Sequence, residues 1–106
     1  MSNANDYREI YDRISTSSPA QVGTDGPLYR LLKLQEEVGE VSQAVIGFTG
    51  ANKRKGFTHT EDDVAKELAD VVVTAMVALH DWVESPSRFM DEHLQGLLTR
   101  IKEEGS

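Results

Sequence analysis

The stretch VAKELADVVVTAMVALHDWV, residues 64–83, constrains this chain more than any other. On a helix its apolar positions, among them Val64, Leu68, Val71, Val72, Val73, Met76, Val77 and Leu79, occupy most of the circumference. A helix that is hydrophobic nearly all round has to be covered on several sides. The lipid of a membrane does not supply that cover. The longest apolar run, Val71 to Leu79, is broken by Thr74 and falls far short of the roughly 20 residues a span requires. The chain has 106 residues, of which 39% are hydrophobic, enough for one domain but thin for a self-sufficient core. The expectation is all-α: a four- to five-helix bundle completed by oligomerisation.

Four helices are readable. Tyr7, Ile10, Tyr11 and Ile14 recur at i, i+3, i+4, i+7 and predict a first helix over 5–14. Residues 15–27, STSSPAQVGTDGP, are rich in turn formers and predict a loop. A second helix is expected from Pro27, a favoured first-turn residue, to Gly47. Leu31, Leu34, Val38, Val41 and Val45 form its apolar stripe. The glycine-rich, basic stretch GFTGANKRKGFTH then makes a loop, and Thr60 with Asp63 reads as the cap of the third helix. That helix is expected to reach Val83, with Trp82 in the core. Ser85 and Pro86 open a fourth, which runs to the neighbourhood of Gly105.

Charge narrows the function classes. The net charge is −7, from 18 acidic and 11 basic residues, which opposes general affinity for nucleic acid or for an anionic membrane. With no cysteine, thiolate metal sites and disulfides are ruled out. The opening MSNANDYREIYDRI has no apolar core of a signal peptide, and a cytoplasmic location is the expectation.

The acidic residues near the apolar faces carry the chemistry. Glu37 and Glu40 are spaced i, i+3, and so are Glu67 and Asp70, so each pair shares one helical face. At about 100° per residue, both pairs fall on the same-signed flank of their apolar stripes. In an antiparallel pair of helices those flanks emerge on one side, and all four carboxylates converge. Such a group resists ionisation unless a cation compensates it. Oxygen-only ligands suit Mg²⁺, with Mn²⁺ as an alternative. None of His59, His80 and His93 follows a glutamate by three residues, so the Glu-x-x-His motif of di-iron bundles is absent.

The residues EEVGE at Glu36–Glu40 and ELAD at Glu67–Asp70 resemble the Glu-Glu-x-x-Glu … Glu-x-x-Asp signature of the all-α nucleoside triphosphate pyrophosphohydrolases. That superfamily includes the MazG proteins, the dimeric dUTPases and the dCTP pyrophosphatases. The similarity covers about half the chain, from Leu28 to Leu79, and residues 1–106 read as a single MazG-like helical domain. The resemblance implies a hydrolase that cleaves an NTP or dNTP between the α- and β-phosphates, giving the monophosphate and pyrophosphate. Carried over, Glu37, Glu40, Glu67 and Asp70 match the family's Mg²⁺ ligands. Glu36 matches a glutamate that orients or deprotonates the attacking water. A homodimer or homotetramer is implied as well.

Lys53, Arg54 and Lys55 are the expected phosphate partners, and Phe48 the expected base-stacking residue. His59 reads as a loop or capping residue. His80 and His93 read as ordinary helix surface, and Tyr7 and Tyr11 as packing residues. One departure from the family pattern stands out: the fourth helix, RFMDEHLQGLLTRIKEE, lacks the asparagine that often accompanies a lysine there. It supports an alternative, a noncatalytic nucleotide-sensing or partner-docking helical module. A purely structural oligomerisation module is a third reading.

Overall fold

A computed structural model describes residues 4–17 and 24–105. Of the loop expected over 15–27, residues 18–23 lie outside the described residues, as do residues 1–3 and 106; residues 15–17 instead continue the first helix, and Gly26 and Pro27 already belong to the second. The described chain folds into α1 (Ala4–Ser17), α2 (Gly26–Thr49), α3 (Glu61–Leu79) and α4 (Pro86–Gly105). Among the described residues there is no strand. No helix among them is long and apolar enough to cross a membrane.

The ends of the helices follow from local chemistry. Pro27 sits in the first turn of α2, where its missing N–H costs nothing. Gly50 ends that helix in the left-handed conformation, φ 67°, and donates its N–H to the Ile46 carbonyl. Glycine is needed there twice over, because a Cβ would also meet the Phe57 ring at 2.8 Å. At α3 the anticipated capping box is complete. The Asp63 N–H donates to Thr60 Oγ1 at 3.2 Å, and the Thr60 N–H donates back to Asp63 Oδ2 at 2.9 Å. The end of α3 comes earlier than the apolar pattern suggested. His80, Asp81 and Trp82 donate their N–H groups to Val77, Ala78 and Leu79, a tightened turn that closes the helix at Leu79.

The antiparallel hairpin of α2 and α3 is the centre of the molecule, and α1 packs on α3. By contrast, α4 makes no extensive contact with any other helix. The fully enclosed apolar core is small: Ala44, Val77 and Ala78. The radius of gyration is 17.0 Å, against about 13 Å for a compact domain of this length.

The phase of α2 differs from the expectation. Its buried residues are Gly26, Arg30, Glu37, Ala44 and Gly47, a line turned by roughly a sixth to a quarter of a circle from the apolar stripe. Leu34 and Val41 are half-buried, whereas Leu31, Val38 and Val45 remain 41%, 44% and 41% exposed. Small residues lie on the chosen line: Ala44 is 1% exposed, and Gly47 leaves room for Thr58 and His59 of the following loop, which the branched stripe does not. Trp82, expected in the core, is 61% exposed, because the chain has already left the helix when it reaches that position.

Candidate metal centre

Rotating α2 brings Glu37 onto the face that meets α3. Its exposure is 9%, and it lies opposite the first turns of α3, where Glu67 and Asp70 project toward it. One carboxylate oxygen from each of Glu37, Glu67 and Asp70 lies within 4.8 Å of the others. Glu40, half-buried one turn along α2, stands outside this group. Glu36 is exposed on the same flank.

Three carboxylates at this range repel one another, more so because burial lowers the local dielectric. Among the described residues, Lys33 is a cation that answers them. Lys33 Nζ lies 3.4 Å from Glu37 Oε1 and 3.4 Å from Glu36 Oε1. The hydrogen bond to Glu37, with the charge of Glu36, holds the Lys33 ammonium above its ordinary pKa. Lys33 was not anticipated, although its i, i+4 spacing to Glu37 was a sufficient signal. Meanwhile Glu67 Oε2 is buried with no hydrogen-bond partner. An orphaned buried carboxylate oxygen requires an explanation. The oxygen donors and the uncompensated charge both fit a hard divalent cation.

Along α2, Glu37 falls between the residues that line two cavities, although none of Glu37, Glu67 and Asp70 lines either. One, of about 190 Å³, is mostly apolar, lined by Ile10 and Ile14 of α1 with Arg30, Lys33, Val73, Thr74 and Val77. Lys33 joins it to the carboxylates. The other, of about 300 Å³, lies beyond Glu40, between Gln43, Ile46 and Gly47 of α2 and the loop residues Asn52, Lys55, Gly56, Thr58 and His59. The loop is seated on the end of α2: the Thr58 N–H donates to the Gly47 carbonyl at 2.9 Å. A Cβ at Gly47 would collide with the side chains of Thr58 and His59. His59 is therefore held against Gly47, with Nδ1 2.9 Å from Thr58 Oγ1.

Lys53, Arg54 and Lys55 are all exposed on this loop. The backbone N–H groups of Arg54 and Lys55 donate to Asn52 Oδ1 at 3.1 and 3.3 Å. Of the three side chains, only that of Lys55 lines the cavity. Phe48 is 40% exposed and lines neither cavity.

A second polar cluster closes the far end of the hairpin. Arg30 makes a two-pronged ion pair with Asp81, Nε to Oδ2 and Nη2 to Oδ1 at 2.6 Å, with both side chains about 5% exposed. Tyr11 of α1 donates its hydroxyl to Asp81 Oδ1 at 2.7 Å, and the Arg30 guanidinium lies 4.9 Å from the centre of its ring. Burial alone would raise the Asp81 pKa, but the hydrogen bonds from Arg30 and Tyr11 keep it below the usual carboxylate value. Tyr11 is raised, chiefly by its hydrogen bond to Asp81. His80, expected on a plain helix surface, is half-buried and stacks on Tyr11 with ring centres 5.1 Å apart. His93 matches its expectation on exposed α4, beside Phe89. This network fixes α1, and with it one wall of the apolar cavity.

Comparison with known proteins gives no match: no family model, no curated protein and no solved structure aligns with this chain.

Proposed function

We propose that this protein is a Mg²⁺-dependent nucleotide pyrophosphohydrolase, cleaving an NTP or dNTP between the α- and β-phosphates to NMP and pyrophosphate. The observation that carries the reading is the Glu37–Glu67–Asp70 cluster, with its orphaned Glu67 oxygen, set between an apolar cavity and a cavity bearing Lys55 and His59. The resemblance of Glu36–Glu40 and Glu67–Asp70 to the MazG-type signature points the same way.

Glu37, Glu67 and Asp70 would hold Mg²⁺, or Mn²⁺ as the substitute, with Glu40 one turn away along α2 as the further expected ligand; a cation bound there would supply neutralisation of the triphosphate and polarisation of phosphorus. Glu36, exposed beside the cluster, accepts the proton of the attacking water. The new P–O bond forms at the α-phosphorus, and pyrophosphate departs with the bridging oxygen. Lys53, Arg54 and Lys55 bind the leaving phosphates, Lys55 from inside the larger cavity. The apolar cavity under α1 offers the nucleoside a better wall than Phe48, because it adjoins the carboxylates through Lys33. The protein works in the cytoplasm as a homodimer or homotetramer, without nucleic acid or membrane partners.

One observation favours a second reading, a nucleotide-sensing module without turnover: α4 contributes nothing to the cluster in its own chain and lacks the family's asparagine. Pyrophosphate release from a panel of canonical and modified NTPs and dNTPs separates the two. Equal yields of monophosphate and pyrophosphate, lost in Glu67→Gln and Asp70→Asn, support the enzyme. Saturable nucleotide binding with no release from folded, Mg²⁺-binding protein puts the sensor first.

A further inference from the structure

From Val41 to Thr60 this acidic chain has no Asp or Glu, its longest stretch without a carboxylate. Lys53, Arg54 and Lys55 fall inside it, in a chain whose net charge is −7. On the helices, Arg8, Arg13, Arg30, Lys33, Lys66 and Arg88 each meet a carboxylate. Among the described residues, the three loop cations form no ion pair.

The loop that carries them is held in one shape. It covers residues 50–60, longer than the roughly 2–8 residues that usually join packed helices. Gly50 and Gly56 supply φ of 67° and 71°. Asn52 ties the turn twice, its carbonyl accepting the Gly56 N–H at 2.8 Å and its Oδ1 accepting those of Arg54 and Lys55. Thr58 and His59 then seat the far end against Gly47. A basic loop fixed at so many points is a binding element rather than a spacer.

The cavity it encloses with the end of α2, about 300 Å³, has no carboxylate in its wall. Gln43, Asn52, Lys55 and His59 line it, and each brings an N–H donor. Asn52 Oδ1 is already taken, so its side chain has only the NH₂ group left to offer. Thr58 Oγ1 lies 2.9 Å from His59 Nδ1; with the hydroxyl donating there, the imidazole proton sits on Nε2. The Asp63 carboxylate, near enough to His59 for their charges to interact, is committed to the Thr60 N–H.

We propose that this cavity is a metal-independent site for a phosphate group, bound by Gln43, Asn52, Lys55 and His59, with Thr58 setting the His59 tautomer. A phosphate carries three or more acceptor oxygens on one centre, enough to engage four donors, where a carboxylate has two. A concave site of this size suits a small anion rather than the extended backbone of a nucleic acid. This role goes beyond the catalytic reading, in which Lys55 alone of these four binds phosphate and a cation supplies the remaining charge. A protein without metal or turnover would still bind phosphate here.

Titration calorimetry with EDTA present, using inorganic pyrophosphate and a nucleoside monophosphate, tests the site directly. At least one should bind saturably. Tighter pyrophosphate names a free diphosphate as the occupant, and tighter monophosphate names the phosphate of a nucleotide. Binding should weaken about tenfold or more in Lys55→Met and in His59→Leu, as the loss of one hydrogen bond to a charged group requires. It should weaken by less than about threefold in Lys53→Met, which removes the same charge from outside the cavity. All three residues are exposed, so the variants keep the fold. No binding in EDTA, equal losses in Lys53→Met and Lys55→Met, or an oligonucleotide that binds more tightly than either small anion overturns the proposal.

Discussion

Arg30, in the first turns of α2, and Asp81, just past the end of α3, hold each other in a buried two-pronged ion pair roofed by Tyr11 of α1. Three separate segments meet at these two charges. Removing one partner leaves the other buried and uncompensated, which typically costs 3–5 kcal/mol. Asp81→Ala should therefore lower unfolding stability by about 3 kcal/mol or more in urea titration. It should also release α1, seen as faster amide exchange over residues 7–14. Replacing both Arg30 and Asp81 by apolar residues should recover much of the loss; no recovery would mean the pair is not the fastener.

The same network predicts a pH window. Asp81 is depressed in the fold, so its contribution is full above the unfolded carboxylate value of about 3.9 and fades as pH falls through the lower folded value. Tyr11 is raised, so its contribution is full below about 10 and is lost as pH rises through the higher folded value. Stability should be flat from about pH 5 to 9 with respect to these groups, and should fall on both sides. Tyr11→Phe should remove this group's share of the alkaline fall; an unchanged alkaline limb would exclude Tyr11 as its source.

On the proposed reading, Lys33 would compete with a metal for Glu37. Its side chain is 46% exposed, so water screens the pair and the effect is moderate. Lys33→Met should tighten Mg²⁺ binding in the absence of nucleotide by about three- to tenfold, measured by calorimetry, since each factor of ten is about 1.4 kcal/mol. Weaker Mg²⁺ binding in the variant would show that Lys33 supports the site rather than occupying it.

Gly47 is where the loop bearing Lys55 and His59 rests on α2. Gly47→Ala would push its methyl group into Thr58 and His59, an overpacking that typically costs about 1–3 kcal/mol. The expected signature is a drop in stability together with loss of protection at the Thr58 amide. A variant that retains both would show that the loop is not seated there.

The helices were legible because periodicity, Pro27, the Thr60–Asp63 box and Pro86 are local signals. The phase of α2 was not. An apolar stripe shows that a face is to be covered, without saying by what, and the intrachain partner instead chose the line of Arg30, Glu37 and Ala44. Two of those three look like surface residues until Asp81 and Lys33 are placed beside them. The convergence of Glu37, Glu67 and Asp70 was readable from i, i+3 spacing on antiparallel helices. Glu40, half-buried one turn along α2, lies outside that group, which the spacing alone did not foretell. Tyr11, His80 and Asp81 meet only through tertiary packing, and no local pattern announced them.

The metal centre is the claim on which the proposed chemistry depends, and Mn²⁺ binding followed by electron paramagnetic resonance tests it most directly. Wild-type protein should bind Mn²⁺ saturably, with Mg²⁺ competing. Binding should weaken at least tenfold in Glu67→Gln and Asp70→Asn while staying unchanged in Glu61→Gln, at the exposed start of α3. Equal Mn²⁺ binding by all four proteins, each with its helices intact, would contradict the account.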